Sequence, residues 1–214
     1  MVEKAKDFVK FCTNGDASGH DYFHTLRVLE LSTTIAREES RFHPVDLETV
    51  QLIALLHDVD DRKLSPHTHE NLDNARNFLR KNCAGPEQTQ NILDSIRNLS
   101  FKGTGRSVPW SLEGKIVQDA DRLDAIGAIG IARAFAFGGS RGREMYDPAE
   151  PPQLDMDEKA YAKSGGHTIN HFYEKLLLLK DLMNTEMGKV MAAHRHDFME
   201  QFLTEFYREW DGLI

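Results

Sequence analysis

The chain runs Leu52-Ile53-Ala54-Leu55-Leu56-His57-Asp58-Val59-Asp60-Asp61-Arg62-Lys63, so that five apolar residues lead directly into a histidine and an aspartate. An unbroken apolar run indicates a buried segment. Burying an imidazole and a carboxylate at its end is unfavourable unless another group compensates them. A metal ion suits both His57 and Asp58 as ligands. The stretch therefore indicates a buried segment that ends in a candidate pair of metal ligands.

Composition and charge narrow the class of protein. The 214 residues are 40% hydrophobic and 28% charged, as in soluble globular proteins. The formal net charge of −8 argues against a nucleic-acid-binding surface, and a small anionic substrate would need a local cationic site or a metal. The two cysteines, Cys12 and Cys83, are expected to be reduced. There is neither a signal peptide nor an apolar stretch of roughly 18 residues, so we expect a cytoplasmic protein without a membrane span.

Helical periodicity dominates the apolar pattern and predicts one all-α domain. Asp46 is a plausible N-cap for the helix that holds the His57-Asp58 pair. Between residues 138 and 166, glycines and prolines replace the periodic pattern and predict a long loop. The other expected helices cover residues 2–13, 20–39, 65–85, 86–100, 112–137 with a break near Gly127, and 168–210.

Four side chains could form the metal site, because each lies beside apolar residues on a predicted helix: His24, His57, Asp58 and Asp121. Two imidazoles and two carboxylates form a mixed nitrogen and oxygen set, which suits Mn, Fe or Co and does not exclude Mg or Zn. A histidine–aspartate pair at a helix end is more often a cap or an ion pair, and a single histidine is more often a core residue. Spacing alone therefore leaves the metal site open.

The order His24, then His57-Asp58, then Asp121 resembles the H…HD…D motif of the HD superfamily of metal-dependent phosphohydrolases. The context of the last motif residue, Ala120-Asp121-Arg122-Leu123, is also similar, and the motifs cover residues from about 20 to 125. Two later stretches look similar to a bacterial subgroup associated with nucleotide pyrophosphohydrolase activity: Ala125-Ile126-Gly127-Ala128-Ile129-Gly130-Ile131-Ala132-Arg133 and Asn170-His171-Phe172-Tyr173-Glu174-Lys175-Leu176. The resemblance implies an HD-type helical bundle and hydrolysis of nucleoside triphosphates.

The resemblance also implies roles for the residues around the motif. It favours Asp121 as the last ligand over its neighbours Asp119 and Asp124. Asp61 would orient or activate water, with Arg62 beside it, although a solvated charge cluster explains both equally well. Dinuclear relatives carry two extra histidines on separate helices, whereas here only His67 and His69 lie in that interval, within one turn region. We therefore expect one divalent ion, with Mn favoured and Mg, Co, Fe, Ni and Zn as alternatives.

Phosphate binding requires cations, and the candidates are His20, Arg27, Lys102, Arg122, His171 and Lys175. Two alternatives to pyrophosphate release stay open: a phosphomonoesterase acting on nucleotides or other small esters, and a non-catalytic helical module that binds a ligand. The loop at 138–166 could be a lid that brings Arg141 and Arg143 to an anionic substrate, or simply a surface insertion.

Overall fold

The computed structural model describes residues 1–13, 21–62, 64–100, 107–157, 160 and 165–213, and in these residues it contains helices and no β-strand. The predicted all-α fold is thereby confirmed. Along the chain the helices are α1 (Val2–Cys12), α2 (Tyr22–Glu39), α3 (Leu47–Leu56), α4 (Asp73–Lys81), α5 (Pro86–Arg97), α6 (Leu112–Asp124), α7 (Gly127–Ser140), α8 (Thr168–Glu174), a 3₁₀ helix (Leu176–Leu182) and α9 (Glu186–Trp210). Within the described part of the chain, no helix has the length and apolar character needed to cross a bilayer.

The chain divides into two compact units, and the boundary falls inside α6, between Asp121 and Arg122. The described residues up to Asp121 form the first unit, and those from Arg122 onward form the second. The expectation of a single domain stays a prediction.

Helix α3 is the centre of the first unit and packs against α1, α2 and α5. Its side chains from Leu52 to Leu56 are completely buried, as the apolar run predicts. Asp46 caps its first turn, because the carboxylate accepts the Thr49 N–H at 3.2 Å and the Thr49 hydroxyl at 2.6 Å. Burial of each large aliphatic side chain contributes about 1.5–3 kcal/mol, so α3 is fixed mainly by packing and its start by the cap.

Helix α4 begins later than the sequence indicates. A helix was predicted from Ser65, but residues 64–72 form turns and α4 starts at Asp73. Leu72, at the N-cap position, has a φ of 54° and offers no side-chain cap. The cap comes instead from Asp60, whose carboxylate accepts the backbone N–H groups of Asn74 and Ala75. A partner so distant in sequence is invisible to local propensity, so the predicted start was wrong.

The second unit contains α7, α8, the 3₁₀ helix and α9, with an aromatic cluster between them. The ring of Phe135 from α7 lies 6.1 Å from that of Phe172 in α8 and 6.0 Å from that of Phe202 in α9. The predicted break near Gly127 is present, and this glycine has a φ of 75°.

Two other boundaries differ from expectation. Helix α7 continues to Ser140, so the described non-helical stretch begins at Arg141 rather than at residue 138, and residues 158–159 and 161–164 of the predicted loop lie outside the described residues. The helix predicted over 168–210 is divided into three segments, and Thr185 caps the last by accepting the Gly188 N–H at 3.0 Å.

Candidate metal centre

His24 is placed by the first turn of α2. The helix is capped by Asp21, which accepts the backbone N–H of His24 itself at 2.7 Å. The His24 side chain is 1% exposed, so it lies in the interior of the first unit. The cap fixes the backbone of this turn, from which the buried imidazole of His24 extends into that interior.

The His57-Asp58 pair lies just beyond α3 rather than within it. His57 is the C-cap residue, and Asp58 begins the turn that follows. The Nδ1 atom of His57 donates to the Ala54 carbonyl at 2.8 Å. Because Nδ1 carries the hydrogen in this bond, the lone pair of a neutral His57 is on Nε2, which faces His24 and Asp58. A backbone partner of this kind commonly fixes the tautomer of a metal-binding histidine.

The donor atoms of three buried residues converge. The Nε2 atoms of His24 and His57 are 3.3 Å apart, and the Oδ2 atom of Asp58 lies 3.4 Å from the first and 3.2 Å from the second. Adjacent ligands at right angles around an ion, each about 2.1 Å from it, are separated by about 3.0 Å. The three atoms are therefore spaced as the ligands of one divalent ion, and the residues present fit a metal.

Asp121 approaches this cluster from α6. Its Oδ1 atom lies 3.5 Å from Nε2 of His24, and its side chain is 31% exposed, against 12% for Asp58. Asp124, the alternative candidate for the last ligand, is almost completely buried and forms an ion pair with Arg133 at 2.7 Å. Asp119 is fully buried on the same helix. The geometry thus brings Asp121 to His24, while the donor atoms that all lie within 4.8 Å of one another are those of His24, His57 and Asp58.

The electrostatics of the cluster favour a cation. Burial by itself lowers the pKa of His57, but the charge and hydrogen bond of Asp58, the charge of Asp121 and the Ala54 carbonyl together raise this pKa to about 9. Negative potential that holds a proton on a buried imidazole also attracts a divalent ion, which would replace that proton.

The predicted catalytic residues follow in the same turn. The Asp61 N–H donates to the Asp58 carbonyl at 2.9 Å, and its own carbonyl accepts from Ser65 at 2.7 Å. The Asp61 side chain is partly buried, and that of Arg62 is exposed. His69 donates its Nδ1 hydrogen to the Asp60 carbonyl at 3.0 Å.

The predicted substrate residues are distributed along the chain. His20 and Lys102 lie outside the described residues. Arg27 is partly buried on α2, one turn after His24. In the second unit, the buried Arg122 donates to the Leu182 carbonyl. Burial, together with the charges of Lys175 and Arg143, lowers the pKa of His171 to about 3. Their roles toward a substrate stay predictions.

Asp60 is the residue that the sequence analysis missed. It is the first of four consecutive charged residues, 60–63, and this pattern indicates a solvated cluster. In the structure, however, Asp60 is only 2% exposed. No local signal distinguishes it, because the N–H groups that it accepts belong to Asn74 and Ala75.

Comparisons with known proteins identify the family of the chain. The profile of the HD domain family matches residues 21–126. The uncharacterized protein YpgQ of Bacillus subtilis is 37% identical over 215 residues, which cover 100% of this chain and 95% of that protein. A crystal structure of YpgQ in complex with ADP covers 98% of this chain and 97% of its own, with a TM-score of 0.76 and 33% identity.

Two further crystal structures are similar over nearly the whole chain. One, from Lactobacillus plantarum, has a TM-score of 0.85 and 37% identity and covers 99% of this chain and 97% of its own. The other, an HD-superfamily hydrolase from Bacillus thuringiensis, has a TM-score of 0.76 and 41% identity, with coverage of 98% and 96%. The chain belongs to the HD superfamily, as its motifs predict. Within that superfamily, its solved relatives support assignment as a hydrolase.

Proposed function

We propose that this protein is a divalent-metal-dependent phosphohydrolase that cleaves nucleoside triphosphates and releases pyrophosphate. The observation that carries the proposal is the buried cluster of His24, His57 and Asp58, whose donor atoms all lie within 4.8 Å of one another. Two buried imidazoles and a carboxylate facing one another are unfavourable without a cation between them. Membership of a hydrolase superfamily supports the reaction type.

The nucleotide part of the proposal rests on two supports. The sequence resembles a subgroup associated with nucleotide pyrophosphohydrolase activity, and the relative YpgQ has been crystallised with ADP. A chain of net charge −8 needs a metal and local cations to hold a polyphosphate. We assign that function to the metal centre and to the predicted substrate residues His20, Arg27, Lys102, Arg122 and Lys175. His171, the remaining predicted substrate residue, has a pKa of about 3 and is neutral near pH 7, so we assign it a hydrogen bond to the substrate and no charge.

In the proposed mechanism His24, His57, Asp58 and Asp121 hold one divalent ion. When bound, such an ion polarises a phosphoryl oxygen and makes water more acidic. Asp61 accepts a proton from the attacking water at its carboxylate. Arg62 offsets negative charge on the phosphoryl oxygens.

A hydrolysis screen tests the proposal directly. Enzyme stripped with a chelator is supplied separately with Mn, Mg, Co, Fe, Ni or Zn, and each sample is incubated with ribo- and deoxyribonucleoside triphosphates. We expect turnover with at least one ion, favouring Mn, and equal amounts of nucleoside monophosphate and pyrophosphate. Orthophosphate as the only inorganic product would establish a phosphomonoesterase. Absence of turnover with every ion would contradict the proposed triphosphate hydrolase and leave the phosphomonoesterase of other esters and the ligand-binding module as the alternatives.

The same stripped enzyme tests the number of metal ions. We expect about one tightly bound Mn for each chain, because His67 and His69 share one turn region and cannot supply a second site from separate helices. Elemental analysis after gel filtration measures this ratio, and a ratio of two would contradict the mononuclear assignment.

A further inference from the structure

The turn that carries Asp58 lies outside the regular hydrogen bonding of any helix. Helix α3 ends at Leu56, and residues 57–60 form a turn. Within it, the Asp61 N–H donates to the Asp58 carbonyl, a contact internal to the turn. The direction of the Asp58 carboxylate therefore depends on what anchors this turn to the rest of the first unit.

A side chain of the turn, Asp60, and a side chain of α4, Asn74, provide that anchor. The buried carboxylate of Asp60 accepts the Asn74 N–H at 3.0 Å and the Ala75 N–H at 2.9 Å, so this residue of the turn caps α4. In return, the Asn74 side-chain amide donates to the Val59 carbonyl at 2.9 Å. Val59 directly follows Asp58. The start of α4 and the turn are thus connected in both directions.

The Asp60 carboxylate and the start of α4 each satisfy hydrogen bonds that the other needs. A buried carboxylate requires hydrogen-bond donors, and the first N–H groups of a helix provide them together with the positive end of its dipole. Helix α4 requires an external acceptor, because Leu72 at its N-cap position cannot supply one. The connection also closes a loop whose ends, Asp60 and Asn74, are 14 positions apart in the sequence. It fixes the backbone on the C-terminal side of Asp58, while α3 fixes the N-terminal side.

We infer that Asp60 and Asn74 are positioning residues for the metal centre, which hold the Asp58 carboxylate against His24 and His57 by binding the turn to the start of α4. The inference rests on the metal centre of the proposed function. Outer groups that orient metal ligands commonly change metal affinity by 10–100-fold when they are removed.

The test compares two carboxylates that each cap a helix: the buried Asp60, two residues after Asp58, and the exposed Asp46, at the far end of α3 from the metal ligands. Asp60→Ala removes the cap of α4, and Asp46→Ala removes the cap of α3 at the helix end remote from His57. Both variants should melt at a lower temperature than the wild type. Titration with Co²⁺, followed by its visible absorption at a temperature where every variant is folded, should give a Kd about 10–100-fold higher for Asp60→Ala and an unchanged Kd for Asp46→Ala.

Two milder variants keep the test decisive if Asp60→Ala does not fold. Asn74→Ala removes the side-chain bonds to Val59, Ser65 and Thr68 but keeps the backbone N–H that Asp60 accepts. Asp60→Asn retains one carbonyl oxygen as an acceptor. We expect both to raise the Kd for Co²⁺ and to alter its visible spectrum at saturation. Kd values and spectra equal to those of Asp46→Ala would overturn the inference while leaving the metal centre intact. A wild type that binds no Co²⁺, Mn²⁺ or other divalent ion would overturn both the inference and the proposed function.

Discussion

At the scale of single residues, His57 depends on the groups around it. The Ala54 carbonyl sets its tautomer, and Nε2 lies 3.2 Å from the Asp58 carboxylate. We expect His57→Ala and Asp58→Ala each to abolish metal-dependent turnover, because each removes a donor from the centre of the cluster. Elemental analysis and activity under limiting metal measure the loss, and circular dichroism should show helix content near that of the wild type.

A surface histidine of the same unit provides the control for that prediction. His43 is exposed in the turn after α2, and His43→Ala should retain both metal and turnover. Full activity of His57→Ala or Asp58→Ala at limiting metal would show that the reaction does not use this cluster.

Asp61 is expected to act on water rather than on the ion. Asp61→Asn keeps the size of the side chain but removes the base, so kcat should fall by about 10²–10⁴-fold while metal content stays normal. Steady-state kinetics combined with elemental analysis separates the two properties. If metal is lost together with activity, Asp61 is a ligand or a structural residue instead.

His171 makes folding stability depend on pH. Burial, together with the charges of Lys175 and Arg143, holds its pKa at about 3 in the folded chain, below its ordinary value of 6.5. Between these values the unfolded chain binds a proton that the folded chain does not, so folding stability decreases as pH falls from 6.5 toward 3. The contribution is up to about 1.4 kcal/mol for each pH unit.

Urea unfolding at several pH values between 7 and 4 measures this effect. His171→Gln should lose stability less steeply than the wild type as the pH falls, because one of the groups that takes up a proton on unfolding is absent. Parallel curves for the two proteins would show that His171 is not held neutral in the folded state.

The residues that the sequence could predict are those whose signal is local or belongs to a motif. The apolar run ending in His57-Asp58 indicated a buried polar pair, and both residues are buried. Among the aspartates of α6, spacing left three candidates, and only the folded chain shows Asp124 paired with Arg133. Asp60 could not be predicted, because its importance arises from a helix that starts 13 residues later.

At the scale of elements, the junction between α6 and α7 depends on glycine. A Cβ atom at Gly130 would lie 2.2 Å from the Ala125 carbonyl oxygen, and this backbone cannot move without opening the junction. We expect Gly130→Ala to lower the free energy of unfolding by about 1–3 kcal/mol, as overpacking generally does. Chemical denaturation measures the difference.

The same helix offers a matched control. Around Gly139 no atom lies within 4 Å of an added Cβ, so Gly139→Ala meets no obstacle. It should be neutral or stabilising by up to about 1 kcal/mol, because alanine favours a helix more than glycine does. Equal destabilisation by the two substitutions would mean that the short distance between position 130 and the Ala125 carbonyl oxygen does not cause the loss of stability.

The start or end of a helix could be predicted where the residue that causes it lies next to that boundary in the sequence. Asp46 marks the start of α3, and glycine at position 127 marks the break before α7. The predicted start of α4, at Ser65, lies eight residues before the observed start at Asp73. Ser65-Pro66 is a good local helix start, but capping by the distant Asp60 selects Asp73 instead. Local propensity is decisive only where no distant partner competes with it.

At the scale of the whole molecule, a bound ion should stabilise the folded chain by mass action. An ion that binds only the folded state adds about 2.7 kcal/mol at a concentration one hundred times its Kd. We expect the melting temperature of stripped protein to rise with added Mn²⁺, and His57→Ala to show no such rise. Differential scanning calorimetry with and without chelator measures both. A wild-type melting temperature independent of Mn²⁺ would contradict a specific site.

Helical periodicity predicted the class of fold but not the division of the chain. The boundary between the compact units lies between Asp121 and Arg122, in the interior of a continuous helix. Linkers are recognised in sequences as exposed stretches rich in proline, glycine or polar residues, whereas this boundary lies in a stretch whose apolar residues recur with helical periodicity. The sequence therefore could not have located this boundary.

The order of the metal donors along the chain has a consequence for biosynthesis. His24 lies in the second helix, His57 and Asp58 directly follow the third, and Asp121 lies near the end of α6. A ribosome that has made the chain only as far as α5 has produced three of the four proposed donors. The complete four-donor site of the proposed mechanism can therefore form only after α6 has left the ribosome.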